Sequence, residues 1–209
     1  EMGWDENKLD FFRRHIVQLG RSGLFVVYDE LAAKEPVKWN YLLHTVELPM
    51  EITGEEGGFR ILGKNKADGI SVAHLFSSQE MTYAQTDTFF VAAVDWKNRL
   101  GKSMDNHYHF TATTTPCTRT CFLNVIDVHG NNRPDIIVTR DGNSILADGW
   151  VIECNLAGDS TPYLRIRNDH KNVSLDFNYD TNKGVTTIID HVNGKKVEKK
   201  LVDFLPSFE

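Results

Sequence analysis

A chain of 209 residues with a net charge of −6 is a poor nucleic-acid binder, since it lacks the basic surface that phosphates require. The same acidity excludes whole-surface binding of an anionic polymer, although a local basic cleft stays open. With 41% apolar and 25% charged residues, it can bury one large β domain or two small ones, and no apolar run approaches the ~20 residues of a membrane-crossing helix.

The chain opens Glu1-Met2-Gly3-Trp4, and a strand pattern begins almost at once at Phe11. The missing initiator Met and leader predict a processed form or a piece of a longer protein. Phe11, Arg13, His15, Val17 and Leu19 share one face of the first strand, with Phe12, Ile16 and Gln18 on the other. Gly20-Arg21-Ser22-Gly23 is a turn. Residues 24–31 (LFVVYDEL) are apolar on both faces and predict a central, doubly covered strand. After a loop ending at Pro36, residues 37–47 predict a long strand that completes an antiparallel meander.

Further strands are expected at 59–62, 70–76, 88–94, 107–115 and 121–129, the last two forming a hairpin across 116–120. Seven more follow at 136–140, 145–146, 150–156, 163–167, 173–179, 185–191 and 196–204. They are punctuated by RDGN, ADGW, AGDSTP, DTNKG and VNGKK turns. No segment of ten residues has a helical period. The expected class is all-β, an antiparallel sandwich or two-layer stack. Strands are long and aromatic before Gly130-Asn131-Asn132-Arg133-Pro134 and short after it, so the expected domains are 1–130 and 131–209.

The sequence has three cysteines. Cys117 and Cys121 flank CTRTC, where a strained hairpin disulfide and two free thiols are both open. Cys154 in VIECNL reads as a small buried hydrophobe. No CxxC pair or Cys/His quartet points to zinc.

A specific combination stands in the first half. Arg13-Arg14 opens a strand, FVVYDEL spans 25–31, a short loop ends at Pro36, and WNYLLHT spans 39–45. Later, CFLNVIDV spans 121–128. This set resembles the heparinase II/III family of polysaccharide lyases, most clearly over the first ~50 residues and more weakly to about residue 130.

The resemblance implies a parent with an N-terminal α/α toroid, a two-layer antiparallel β domain and a small C-terminal β domain. It implies β-elimination on a uronic acid: a base takes the C5 proton, the carboxylate is neutralised, and an acid protonates the leaving oxygen. The family's Tyr and His base and acid, and its zinc near an H-x-H-x-D motif, lie upstream of the matching stretch. No catalytic or zinc residue is therefore carried over, and no cofactor is expected in this chain.

On this reading residues 1–130 are the distal part of the central β domain, and 131–209 are a small C-terminal β-sandwich. The chain is expected to be catalytically silent and to support the cleft against the upstream toroid and β domain. The implied substrate is an acidic polysaccharide, glycosaminoglycan-like or alginate-like, and the implied location is periplasmic or secreted. Two rival readings are an independent carbohydrate-binding module and a metal enzyme.

Individual residues sharpen these readings. His44 shares a face with Leu42 and Val46, and Asp29 is expected on the adjacent strand. The pair either shapes a substrate cleft or is a buried histidine satisfied by Asp29 or backbone, with Asp29, Trp39 and His44 as structural residues. His107-Tyr108-His109 sets two imidazoles on one strand face, which can begin a metal site with His129 or Asp105, or be a solvated face. Arg13, Arg14, His15 and Arg21 can grip an anionic sugar through bidentate contacts, or pair with carboxylates across strands.

Trp96 and Trp150, at expected strand ends, are candidate sugar platforms, whereas Trp39 is expected in a core. Asp176, Asn178, Asp180 and Asn182 alternate like calcium ligands, but the loop's glycine and terminal glutamate are missing, so a strand entering a turn is expected.

Overall fold

The computed structural model describes residues 8–20, 23–46, 48–87, 107–157, 163–180 and 185–200. The chain divides into two compact units, Glu1–Asp135 and Ile136–Glu209. Described strands pair antiparallel throughout, no helix occurs among the described residues, and the fold is an all-β, sandwich-like one.

In the first unit the strands are β1 (Leu9–Leu19), β2 (Leu24–Val37), β3 (Asn40–Val46), β4 (Glu51–Glu55), β5 (Gly58–Lys64), β6 (Gly69–Ser77), β7 (Met81–Thr86), β8 (His107–Thr114) and β9 (Cys117–Gly130). A six-stranded sheet has the order β1-β2-β9-β6-β5-β4, and a three-stranded sheet has the order β3-β8-β7. Tyr41, Phe110 and Ala112 of the smaller sheet meet Ile61, Ala73, Leu75 and Phe122 of the larger one, with Trp39 and Met50 completing the core. Tyr41 leans on Phe122 with centroids 5.4 Å apart, and Phe110 meets the edge of Phe59 at 6.1 Å.

The LFVVYDEL stretch is central, as its two apolar faces required. It lies between β1 and β9, and Leu24, Val26 and Tyr28 are fully buried on the face away from the smaller sheet.

Two sequence expectations fail at corners between the sheets. β3 does not continue a meander, because β9 takes the second edge of β2 and β3 pairs with β8 instead. Trp39 makes that corner. It lies between β2 and β3 rather than in mid-strand, its backbone N–H donates to Thr114 Oγ1 (3.1 Å), and its indole N–H donates to the Cys117 carbonyl (3.2 Å). Burying the indole pulls the chain off one layer onto the other. Likewise β8 and β9 form no hairpin: they belong to different sheets, and Pro116 lies at the crossover, where no ladder N–H is needed.

Strands β4 and β7 have weak sequence signals. The β4–β5 hairpin turns at Glu56-Gly57, with Gly57 at φ 71°, and its Gly-rich, acidic sequence hides the alternation. Gly58 cannot carry a side chain there, since a Cβ would overlap the Leu75 carbonyl oxygen of the neighbouring strand.

Cys117 and Cys121 are four residues apart on β9, or about 13 Å at the strand rise. A bridge needs Cα atoms within about 7 Å, so the hairpin disulfide is excluded, and both are free thiols.

The second unit carries β10 (Val138–Asp141), β11 (Ser144–Ala147), β12 (Trp150–Cys154), β13 (Leu164–Asn168), β14 (Val173–Asp180), β15 (Val185–Asp190) and β16 (Lys195–Lys200). Among the described residues they form one seven-stranded sheet in chain order. Asp148 and Gly149 both have positive φ (48° and 73°), the signature of a two-residue hairpin turn matched to strand twist. Ile145, Ala147, Trp150, Ile152, Cys154, Leu164 and Ile166 alternate inward and are buried.

Candidate functional site

Strand alternation divides the basic cluster. Arg13 and His15 point to one face of the six-stranded sheet and Arg14 to the other, so they form no single cradle. Arg13 lies opposite Glu30, and the two side chains form a buried ion pair. Arg14 lies opposite Asp29 and forks onto it, Nε to Oδ1 and Nη2 to Oδ2, both at 2.6 Å. Arg14 keeps nearly half of its side chain exposed, and its guanidinium packs over the rings of Phe12 (5.6 Å) and Tyr41 (5.9 Å).

That pairing overturns the expected Asp29–His44 contact. β2 and β3 are in different sheets, and the Asp29 carboxylate is held by Arg14. Tyr41 and Asn124 lie next to this ion pair and were not anticipated as a site. The Asn124 amide donates to the Tyr41 hydroxyl at 3.1 Å. Burial pushes the Tyr41 phenol up from its ordinary pKa, so it is a neutral group rather than a ready base. A lone Asn inside the apolar FLNVI run was the available signal, because a buried amide needs a partner.

His15 stacks on Tyr28 with centroids 6.2 Å apart. Burial, then the neighbouring Arg13 charge, lowers its pKa to about 4. The folded chain therefore resists a proton that the unfolded chain accepts near pH 6.5. The stabilisation is complete above that value and is lost as pH falls toward about 4. Between pH 7 and 4.5 the wild type is expected to lose more unfolding free energy in urea than His15→Gln. Equal losses would remove His15 as the cause.

The histidines that the sequence scattered are assembled by the three-stranded sheet. His44 on β3 is directly opposite His109 on β8, and Val46 is opposite His107. All three imidazoles therefore project from the face away from the core. His44 is exposed rather than buried. Its ring meets that of His109 edge-on, centroids 4.5 Å apart and planes at 79°. Burial, then the nearby His44 and His107, holds the His109 imidazole below its ordinary pKa and favours its neutral form.

His129 is not on the strand paired with β8. It belongs to β9, where its Nε2 is 3.2 Å from Asp135 and 3.6 Å from Asp127. Asp105 lies outside the described residues. Among the described residues, no three His, Cys, Asp or Glu side chains converge as a metal-holding group.

Trp150 begins β12 as expected of a strand end, but it is buried, with the Lys171 ammonium 5.1 Å from its ring centre. Trp39 is a core residue. Trp96 lies outside the described residues, as do Trp4, Arg21 and the expected strand at 88–94. In the second unit, the first residue of the alternating Asp/Asn run is committed to side chains. Asp176 accepts from Arg165 Nε (2.6 Å) and Nη2 (3.2 Å) and sits 2.8 Å from His191 Nε2. The Arg165 hydrogen bond, aided by His191, holds the Asp176 carboxyl below its ordinary pKa.

No family model matches the chain, and no curated protein matches it significantly.

Proposed function

We propose that this chain is the distal β portion of a heparinase II/III-like polysaccharide lyase and supports the substrate cleft without performing the elimination. The parent would cleave an acidic, uronate-containing polysaccharide outside the cytoplasm and would contribute base, acid and zinc from its upstream part.

One observation carries this reading. The residues on which the resemblance rests are spatial neighbours, and the arginines, the carboxylates opposite them, Tyr41 and Asn124 spend their functional groups on one another. Arg13 and Arg14 bind Glu30 and Asp29 across β1 and β2, and CFLNVIDV lies on β9, the next strand. WNYLLHT begins at the sheet-crossing Trp39 and packs its Tyr41 on Phe122 and Asn124. Paired guanidiniums and a neutral buried phenol suit a framework better than a proton-transfer site.

An independent carbohydrate-binding module needs exposed aromatic platforms. The burial of Trp39 and Trp150 opposes that reading for those two residues.

The test is an eliminase assay on the purified 209-residue chain with heparin, heparan sulfate, chondroitin and alginate. The ultraviolet absorbance of the unsaturated uronate product is followed. No turnover is expected from chain that circular dichroism shows to be folded. Turnover on any of the four polymers would place a complete active site within these residues and end the framework reading.

A further inference from the structure

The outward face of the three-stranded sheet has a property independent of the lyase reading. Two imidazoles from different strands are held side by side by the β3–β8 register, and a third lies two residues along β8. We propose that the His44–His109 pair, with His107 beside it, is a chelating site for a divalent transition-metal ion that favours right-angled ligands, copper(II) or nickel(II).

A metal–imidazole bond of about 2.1 Å, plus about 1.1 Å from nitrogen to ring centre, puts each ring centre about 3.2 Å from a bound ion. Two such rings lie about 4.5 Å apart when the bonds meet at a right angle, and about 5.2 Å apart at a tetrahedral angle. The observed ring centres are 4.5 Å apart, the spacing of the first case.

Imidazole suits copper and nickel, and the divalent affinity order places both well for a nitrogen site. Because the register already fixes the two rings together, the second bond forms at high effective concentration and little ordering cost. His44 is exposed, so water can complete the coordination from its side of the pair.

The sequence alone pointed elsewhere for a partner of the HxH pair, to His129 or Asp105. His44 is 65 residues from His109 (109 less 44) and becomes its neighbour only through the sheet.

The experiment titrates the purified chain with nickel(II) and zinc(II) by calorimetry and records the electron paramagnetic resonance of one equivalent of copper(II). One ion should bind per chain, nickel tighter than zinc, and the copper spectrum should be tetragonal with two imidazole nitrogens. His44→Gln and His109→Gln should each weaken binding by at least about tenfold, since either removes the chelate. His170→Gln and His191→Gln, on exposed turns of the other unit, should leave it unchanged.

A wild-type copper spectrum lacking imidazole nitrogens would overturn the proposal whatever the variants do. So would nickel affinity unchanged in the His44→Gln, His109→Gln double variant.

Discussion

Replacing Glu30 by Ala is expected to lower the unfolding free energy of the first unit by about 3–5 kcal/mol, among the largest single effects available in this chain. Glu30 and Arg13 are both buried on the same face of the large sheet, and their side chains are paired. Removing the carboxylate strands a guanidinium that cannot return to water without pulling β1 off β2. The uncompensated charge, more than the missing attraction, sets the cost.

A double replacement separates these terms. Arg13→Met with Glu30→Leu removes both charges and fills the space with apolar atoms, so it should recover most of the loss. Urea unfolding of these three chains, wild type, single and double variant, is the measurement. A Glu30→Ala midpoint within error of wild type would mean that the pair is not buried as described. A double variant as unstable as the single one would mean that the residue's shape, not its charge, mattered.

Replacing Phe110 by Ala should cost about 3–5 kcal/mol. Phe110 is fully buried and packs against Phe59 and Tyr83, which links the small sheet to the large one. Leu42 is on the strand paired with Phe110's, yet more than half of its surface is exposed on the histidine-bearing face. Leu42→Ala should therefore change stability by no more than about 0.5 kcal/mol. The two substitutions test the register of the small sheet, since a slip of one residue exchanges their faces. Comparable losses from both would refute the assignment of faces.

Much of the architecture is written locally. Alternation along 11–19 and the two apolar faces of 24–31 predicted β1 and a central β2 paired with it. In the second unit the DG, NG and KG turns marked where the short strands end, and the sheet runs in chain order because each turn commits the next strand to return beside the last. The missed strands, β4 and β7, lack alternation in the sequence: one is Glu- and Gly-rich, and the other is an edge strand exposed over most of its length.

The candidate site was less legible. The sequence named Arg14, Asp29, His44 and the HxH pair and offered cross-strand carboxylates as partners for the arginines, but it gave His44 and the HxH pair the wrong partners. Asp29 pairs with Arg14 and not His44, and His109 faces His44 and not His129. Both errors have the same origin, the assumption that consecutive strands pair.

The sequence by itself determined that this chain is an all-β antiparallel protein, where most strands and turns lie, and which residues alternate toward one face or the other. Those are properties of a period-two backbone and of residues with restricted dihedrals, and they act over a few positions. Only the tertiary structure decided which sheet each strand joins. At Trp39 and again at Pro116 the chain crosses between layers, and the free energy of that choice comes from burying an indole and joining strands tens of residues apart. Because a side chain's neighbours across a sheet belong to the partner strand, those two corners took His44 away from Asp29 and set the three-histidine face.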